Sequence, residues 1–168
     1  MYSGVDTDPL LLLDRQLCFA LYRASRAMVQ AYQPLLAALE VTYPQYLVLL
    51  LLWEQDGVTV KALGERLDLD SGTLTPLLRR LETRGLISRA RSGDDGREVL
   101  VRLTAAGRRL HAKARSVPRG VLTKSCLTVP EATRLREELH VLADRFFARP
   151  NPSNPPGSPG SESKKEPK

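Results

Sequence analysis

Only two cysteines and two histidines occur among the 168 residues. Cys18, His111, Cys126 and His140 are scattered without the spacing of metal ligands, so no metal site is expected. The chain has no Cys-x-x-Cys pair, no glycine-rich phosphate loop and no acid–base constellation. These absences argue against an enzyme, a thiol peroxidase included, and no catalytic residue or cofactor is expected. Long apolar runs are missing too. The longest, Tyr46 to Trp53, is far short of the ~20 residues that cross a bilayer and reads as a buried helix, so no membrane partner is expected. Ahead of Leu10 there are acids and no base, the wrong charge for a secretory leader, so the expected location is the cytoplasm. In that reducing compartment two cysteines are poor support for a structural disulfide.

Positive charge, by contrast, is concentrated. Between Arg79 and Arg115 there are eleven lysines or arginines and four carboxylates, so this stretch carries the basic balance while the rest is about neutral. A polyanion is the natural partner of such a face. Residues 149–168 are rich in Pro, Gly and Ser without apolar periodicity and read as a disordered basic tail, and residues 1–8 as a flexible N-terminus.

The segment between is one domain, 9–148, mainly α with a small β-hairpin. Asp8-Pro9 reads as a cap and first-turn proline for a long amphipathic helix marked by Leu13, Leu17, Leu21, Ala24 and Met28, which Pro34 interrupts or kinks. Thr42-Tyr43-Pro44-Gln45 opens a second helix running to about Gln55. A short helix, 60–67, precedes one beginning at Asp70, and together they read as a helix-turn-helix over residues 59–84. Gly85 stops the second. Leu86–Arg91 and Glu98–Leu103 read as strands around the turn Ser92-Gly93-Asp94-Asp95-Gly96, which makes the whole a winged helix-turn-helix. Thr104 caps a basic helix to about Val117, and Thr128-Val129-Pro130-Glu131 is a capping box before a last helix striped by Leu135, Leu139, Leu142 and Phe146. The terminal helices, about 9–39 and 105–148, carry more apolar surface than the winged lobe, about 43–104, can cover. They pack on their own domain or build a homodimer, and proteins that read two half-sites favour the second.

If the helix from Asp70 enters a major groove, Ser71, Thr73, Thr75, Pro76 and Arg79 come within reach of bases and phosphates. The plain alternative is a polar solvated face. At the hairpin tip, Asp95 two residues before Arg97 can orient a guanidinium for the minor groove, or be an exposed ion pair of little value. Asp95-Gly96-Arg97 followed after five residues by Leu103-Thr104, with DSGTLTPLLRRLETRGLI before it, resembles the wing and recognition helix of the MarR family over roughly residues 10–148. The resemblance implies an intertwined homodimer on pseudo-palindromic operator DNA, usually a repressor.

Cys18, with Arg15 three residues before it and Tyr22 four after, is either an inert thiol or one whose neighbours favour a thiolate. LLLDRQLCFALY, with Ala31 to Leu36 and Thr42 to Tyr46 downstream, resembles the organic hydroperoxide sensors within the MarR family. That likeness implies that Cys18 is the peroxidatic thiol, bonded in its reduced state by Tyr32 and Tyr43. Cys18 and Tyr32 are ~21 Å apart along one straight helix, so an antiparallel pairing of two first helices would be needed to join them. Cys126 resembles the resolving cysteine of the two-cysteine subclass, which implies an intersubunit disulfide after sulfenic acid formation, and release of DNA. The competing expectation is a MarR-type repressor released by a phenolic or drug-like ligand, with both cysteines as filler.

Overall fold

The computed structural model describes residues 8–91 and 98–147. Residues 1–7 of the expected flexible N-terminus 1–8, the wing turn with Asp95 and Arg97, and the tail from 149 lie outside these residues. Asp8 does cap, accepting a bond from the Leu10 N–H at 2.9 Å with Pro9 in the first turn. The expected long helix does not start at residue 9, however. Two 3-10 turns, Pro9–Leu11 and Leu13–Arg15, come first, because Leu12 and Gln16 adopt extended backbone with ψ of 127° and 119°. Helix α1 begins only at Leu17 and runs to Ala37. Pro34 does not end it: a proline one turn before the terminus removes a single backbone donor.

Helix α2, Tyr43–Glu54, starts where the Thr42 N–H donates to Gln45 Oε1 at 2.9 Å. It is the central helix, with Tyr46, Val48, Leu49 and Leu52 fully enclosed. Helix α3 spans Val60–Leu67 and α4 spans Ser71–Thr83, matching the expected helix-turn-helix. Leu74, Leu78 and Leu81 of α4 are buried at the spacing the apolar pattern requires, with Arg79 and Arg80 on the exposed side.

The sheet has one strand more than expected. Val58–Thr59, β1, pairs antiparallel with β3, Val99–Leu103, which also pairs with β2, Ile87–Arg91, giving the order β1-β3-β2. Two residues are too few to show a period of two, so β1 left no pattern to read. Thr104 caps α5, Ala105–Ala114, through its bond from the Gly107 N–H at 3.1 Å. The expected continuation to Val117 is also corrected. Pro118 cannot donate back to Ala114, and it sits instead in the first turn of a separate helix α6, Val117–Ser125. These elements form one compact unit ending at Cys126. A second unit, from Leu127, holds helix α7, Val129–Phe147. Its capping box is as expected: the Thr128 N–H donates to Glu131 Oε2 at 2.8 Å. Leu135, Leu139 and Phe146 are exposed along it.

Candidate DNA-reading surface and thiol sites

Helix α4 presents its N-terminal turns to solvent. Asp70 caps it twice over: Oδ1 accepts from the Thr73 N–H at 2.9 Å, and Oδ2 accepts from the Thr73 hydroxyl at 2.9 Å. These bonds hold the Asp70 carboxyl below the usual aspartate range. They also occupy the Thr73 hydroxyl proton, so Thr73 serves the cap first. Ser71, Thr75, Pro76 and Arg79 are exposed on the same helix. Pro76, Arg79, Arg80 and Thr83 line a groove of about 600 Å³ together with Glu40 and Gln45. There the Arg84 guanidinium, at the end of α4, donates to the Glu40 carboxylate at 2.9 Å and to the Glu40 carbonyl. Glu40 itself occupies the left-handed region at φ 53°, in the joint between α1 and α2.

Two further ion pairs that sequence reasoning missed hold the frame of this surface. Asp56 accepts from the Leu103 N–H at 2.8 Å and from Arg108 at 2.7 Å, fixing the end of α2 to β3 and α5. Glu82 on α4 holds Arg89 on β2 by both backbone and guanidinium. Neither pair has a local sequence signature, since partners 52 and 7 residues apart meet only after the chain has turned.

The residues expected around Cys18 are divided. Cys18 is exposed on the first turn of α1. Arg15 lies in the 3-10 turn before it, and the Tyr22 hydroxyl accepts a bond from Arg26 at 2.8 Å. Tyr32 stands near the other end of α1, its ring 4.8 Å from that of Tyr43 at the start of α2 and 5.9 Å from Tyr46. The structure thus brings Tyr32 and Tyr43 together and keeps both from the Cys18 of their own chain. Burial, with the adjacent Tyr43 a lesser cause, pushes the Tyr32 phenol upward, and burial does the same to Tyr43. Both are therefore protonated at neutral pH and able to donate.

Cys126 ends α6 as its left-handed C-cap, exposed, at φ 55°. Helix α6 crosses α1 where Gly120 faces Leu35, a Cβ at Gly120 falling 2.9 Å from Leu35 Cδ2. Cys18 precedes Leu35 by ~25 Å of helix rise, and Cys126 is at most ~9 Å beyond Gly120. Allowing up to ~8 Å between the Cα atoms of Gly120 and Leu35, those of Cys18 and Cys126 of one chain are left ~8 Å or more apart, beyond the ~4.4–6.8 Å that a disulfide spans.

The model of the MarR family matches residues 41–99, which hold α2 through the start of β3. The chain is 50% identical over 137 residues to the organic hydroperoxide resistance transcriptional regulator of Bacillus subtilis (strain 168), covering 82% of this chain and 93% of the relative. The chain belongs to the MarR family. Its relatives and fold are those of transcriptional regulators, not enzymes. Among solved MarR structures, reduced AbfR bound to DNA is 38% identical and matches with a TM-score of 0.66 over 80% of this chain and 94% of that one. Disulfide-formed AbfR is 37% identical, with a TM-score of 0.59 over 80% of this chain and 92% of that one. The winged helix-turn-helix of this MarR chain, α3 to β3, is thus the DNA-binding architecture of its family. No described helix is long and apolar enough to cross a membrane.

Proposed function

We propose that this chain is a homodimeric repressor that binds pseudo-palindromic operator DNA and is released from it by organic hydroperoxides. The observation that carries the reading is the division of the thiol site. Cys18 is at one end of α1, and the paired phenols Tyr32 and Tyr43 are at the other. Two α1 helices packed antiparallel complete it, each chain's tyrosines donating to the other's Cys18 thiolate. Exposed Leu13, Leu17, Tyr22 and Met28 supply apolar surface for that pairing. The name of the Bacillus subtilis relative supports the inducer, and the existence of reduced, DNA-bound and disulfide forms of AbfR supports the redox logic.

The Cys18 thiolate attacks the terminal peroxide oxygen, the O–O bond breaks, and with one proton the alcohol leaves, so that sulfur is oxidised to sulfenic acid. A groove of about 400 Å³ beside Tyr43, walled by Val29, Leu36, Ala37, Val41 and Pro44, suits the hydrocarbon part of the oxidant. The Cys126 thiol of the other subunit then attacks the sulfenic sulfur, forming the disulfide and releasing water. The intrachain separation of the two Cα atoms favours this intersubunit pairing. Closing the bond draws the dimer helices together and moves the two α4 helices out of the spacing DNA requires. In this reading Ser71, Thr75, Pro76, Arg79 and the wing residues Asp95 and Arg97 make the DNA contacts, and Arg15 and Tyr22 flank the thiol.

Non-reducing electrophoresis after cumene hydroperoxide tests it. The wild type is expected to give a disulfide-linked dimer that Cys18→Ser and Cys126→Ser both lack. A linked dimer persisting in either variant, or none in the wild type, overturns the mechanism.

A further inference from the structure

A carboxylate on a surface built to meet phosphates needs a reason, and Glu82 is such a carboxylate. It lies on the reading helix α4, in the stretch where cations outnumber acids eleven to four. Its Oε1 accepts from the Arg89 backbone N–H at 3.1 Å, and its Oε2 accepts from Arg89 Nε at 2.9 Å and from a terminal guanidinium nitrogen at 2.6 Å. Arg89 is the middle residue of β2, opposite Val101 of β3, which is wholly buried. Between the two elements the chain passes through Gly85 in the left-handed region at φ 65°, where a Cβ would meet nothing within 4 Å. The joint between reading helix and wing is therefore open around its glycine, and the Glu82–Arg89 clamp bridges it from the side. Both side chains are about two-thirds covered, at 35% and 28% exposure, so the pair is shielded more than a surface ion pair.

We propose that Glu82 and Arg89 are positioning residues for DNA binding: together they set the angle of the wing against the reading helix, and Arg89 is not a phosphate contact. With Nε and a terminal nitrogen both donating to Glu82 Oε2, and the backbone N–H of Arg89 to Oε1, the guanidinium is already committed within the protein. Glu82 in turn neutralises Arg89 near the root of the wing, where an unpaired arginine would swing toward any nearby phosphate. The clamp makes helix and wing move as one rigid body, so both can engage one half-site in a fixed relation.

This inference rests on the DNA-binding reading, and the experiment keeps the two apart. A duplex is first enriched from a randomised pool by the wild-type protein, and its affinity is measured across a salt series beside that of a scrambled duplex. Simple electrostatics predicts that Glu82→Gln tightens binding and that Arg89→Lys, which keeps its charge, changes little. The clamp predicts the opposite: each variant weakens the enriched duplex about tenfold, leaves the scrambled duplex within about twofold, and keeps the wild-type salt slope. The double variant is expected to lose no more than either single one. Unchanged or tighter binding by Glu82→Gln overturns the proposal. So does full binding by Arg89→Lys combined with a slope shallower by about 0.9 in Arg89→Gln, the mark of a lost phosphate contact. Failure of the wild type to enrich any duplex overturns the DNA-binding reading and this inference with it. Circular dichroism and thermal unfolding of each variant accompany the titrations, and an affinity loss that tracks unfolding in both Glu82→Gln and Arg89→Lys also counts against the clamp.

Discussion

The rings of Tyr32 and Tyr43 meet at 4.8 Å and are tilted by 52°, joining the later part of α1 to the first residue of α2. The contact has a packing role and, in the proposed sensor, a hydroxyl role, and the two are separable. Tyr32→Phe keeps the ring, so the urea midpoint of unfolding is expected to stay near wild type. Tyr32→Ala removes the aromatic pair as well as its buried area, at a cost of about 1–3 kcal/mol. If the phenol donates to a Cys18 thiolate across the dimer, Tyr32→Phe alone slows thiol loss under organic hydroperoxide several-fold. Equal rates in Tyr32→Phe and wild type leave Tyr32 a packing residue only.

What could be read along the chain was local. Asp70, Thr104 and Thr128 each announced a helix start, and each caps one, because a cap and its partner are three residues apart. The apolar spacing of Leu74, Leu78 and Leu81 marked the buried face of the reading helix for the same reason. The break before Leu17 has no proline or glycine to mark it: Leu12 and Gln16 turn to extended backbone, and the Gln16 side chain donates back to the Leu10 carbonyl. The Glu40–Arg84 tie joins residues 44 apart and left no periodic trace. Cys18 was found only by resemblance, since an exposed cysteine on a half-apolar helix has no distinguishing pattern of its own.

Gly107, on α5, has no room for a Cβ. The Trp53 indole N–H donates to its carbonyl at 3.0 Å, and a Cβ placed on it would overlap the Leu86 carbonyl oxygen and lie 3.0 Å from Leu103 Cδ2. Gly107→Ala must therefore push α5 off the strand junction, because backbone cannot yield as a side-chain tip can. A loss of about 1–3 kcal/mol is expected, read as a lower urea midpoint at unchanged slope. Trp53→Phe deletes the donor and part of the indole's packed surface, with an expected loss of about 1–3 kcal/mol.

Acid should act through Asp56. Burial alone would raise its carboxyl, but bonds from the Leu103 N–H and from Arg108 outweigh it and leave it below the ordinary 3.8. A depressed carboxyl contributes stability that is complete above its unfolded value and is lost as pH falls through the folded one. Unfolding free energy is thus expected to hold its Asp56 share above about pH 5 and to lose it progressively below pH 4. Asp56→Asn lowers stability at pH 7 and flattens that acid limb. An unaltered limb in the variant would show that other carboxylates carry it.

Cys126 offers the clearest separation of chemistry from architecture. It holds φ 55° and ψ 21° at the C-cap of α6, a left-handed position that glycine fills without a Cβ penalty. A cysteine there is expected to cost about 1 kcal/mol relative to glycine. Its exposed side chain has one neighbouring acceptor, the Thr123 carbonyl at 4.0 Å, too long to offset that cost. Cys126→Gly should therefore raise the unfolding midpoint while removing the disulfide-linked dimer after hydroperoxide treatment. Cys126→Ala, which keeps the Cβ, should remove the dimer without the gain in stability. A Gly variant no more stable than the Ala variant would mean that the cap relaxes freely. A linked dimer in either would remove Cys126 as the resolving thiol.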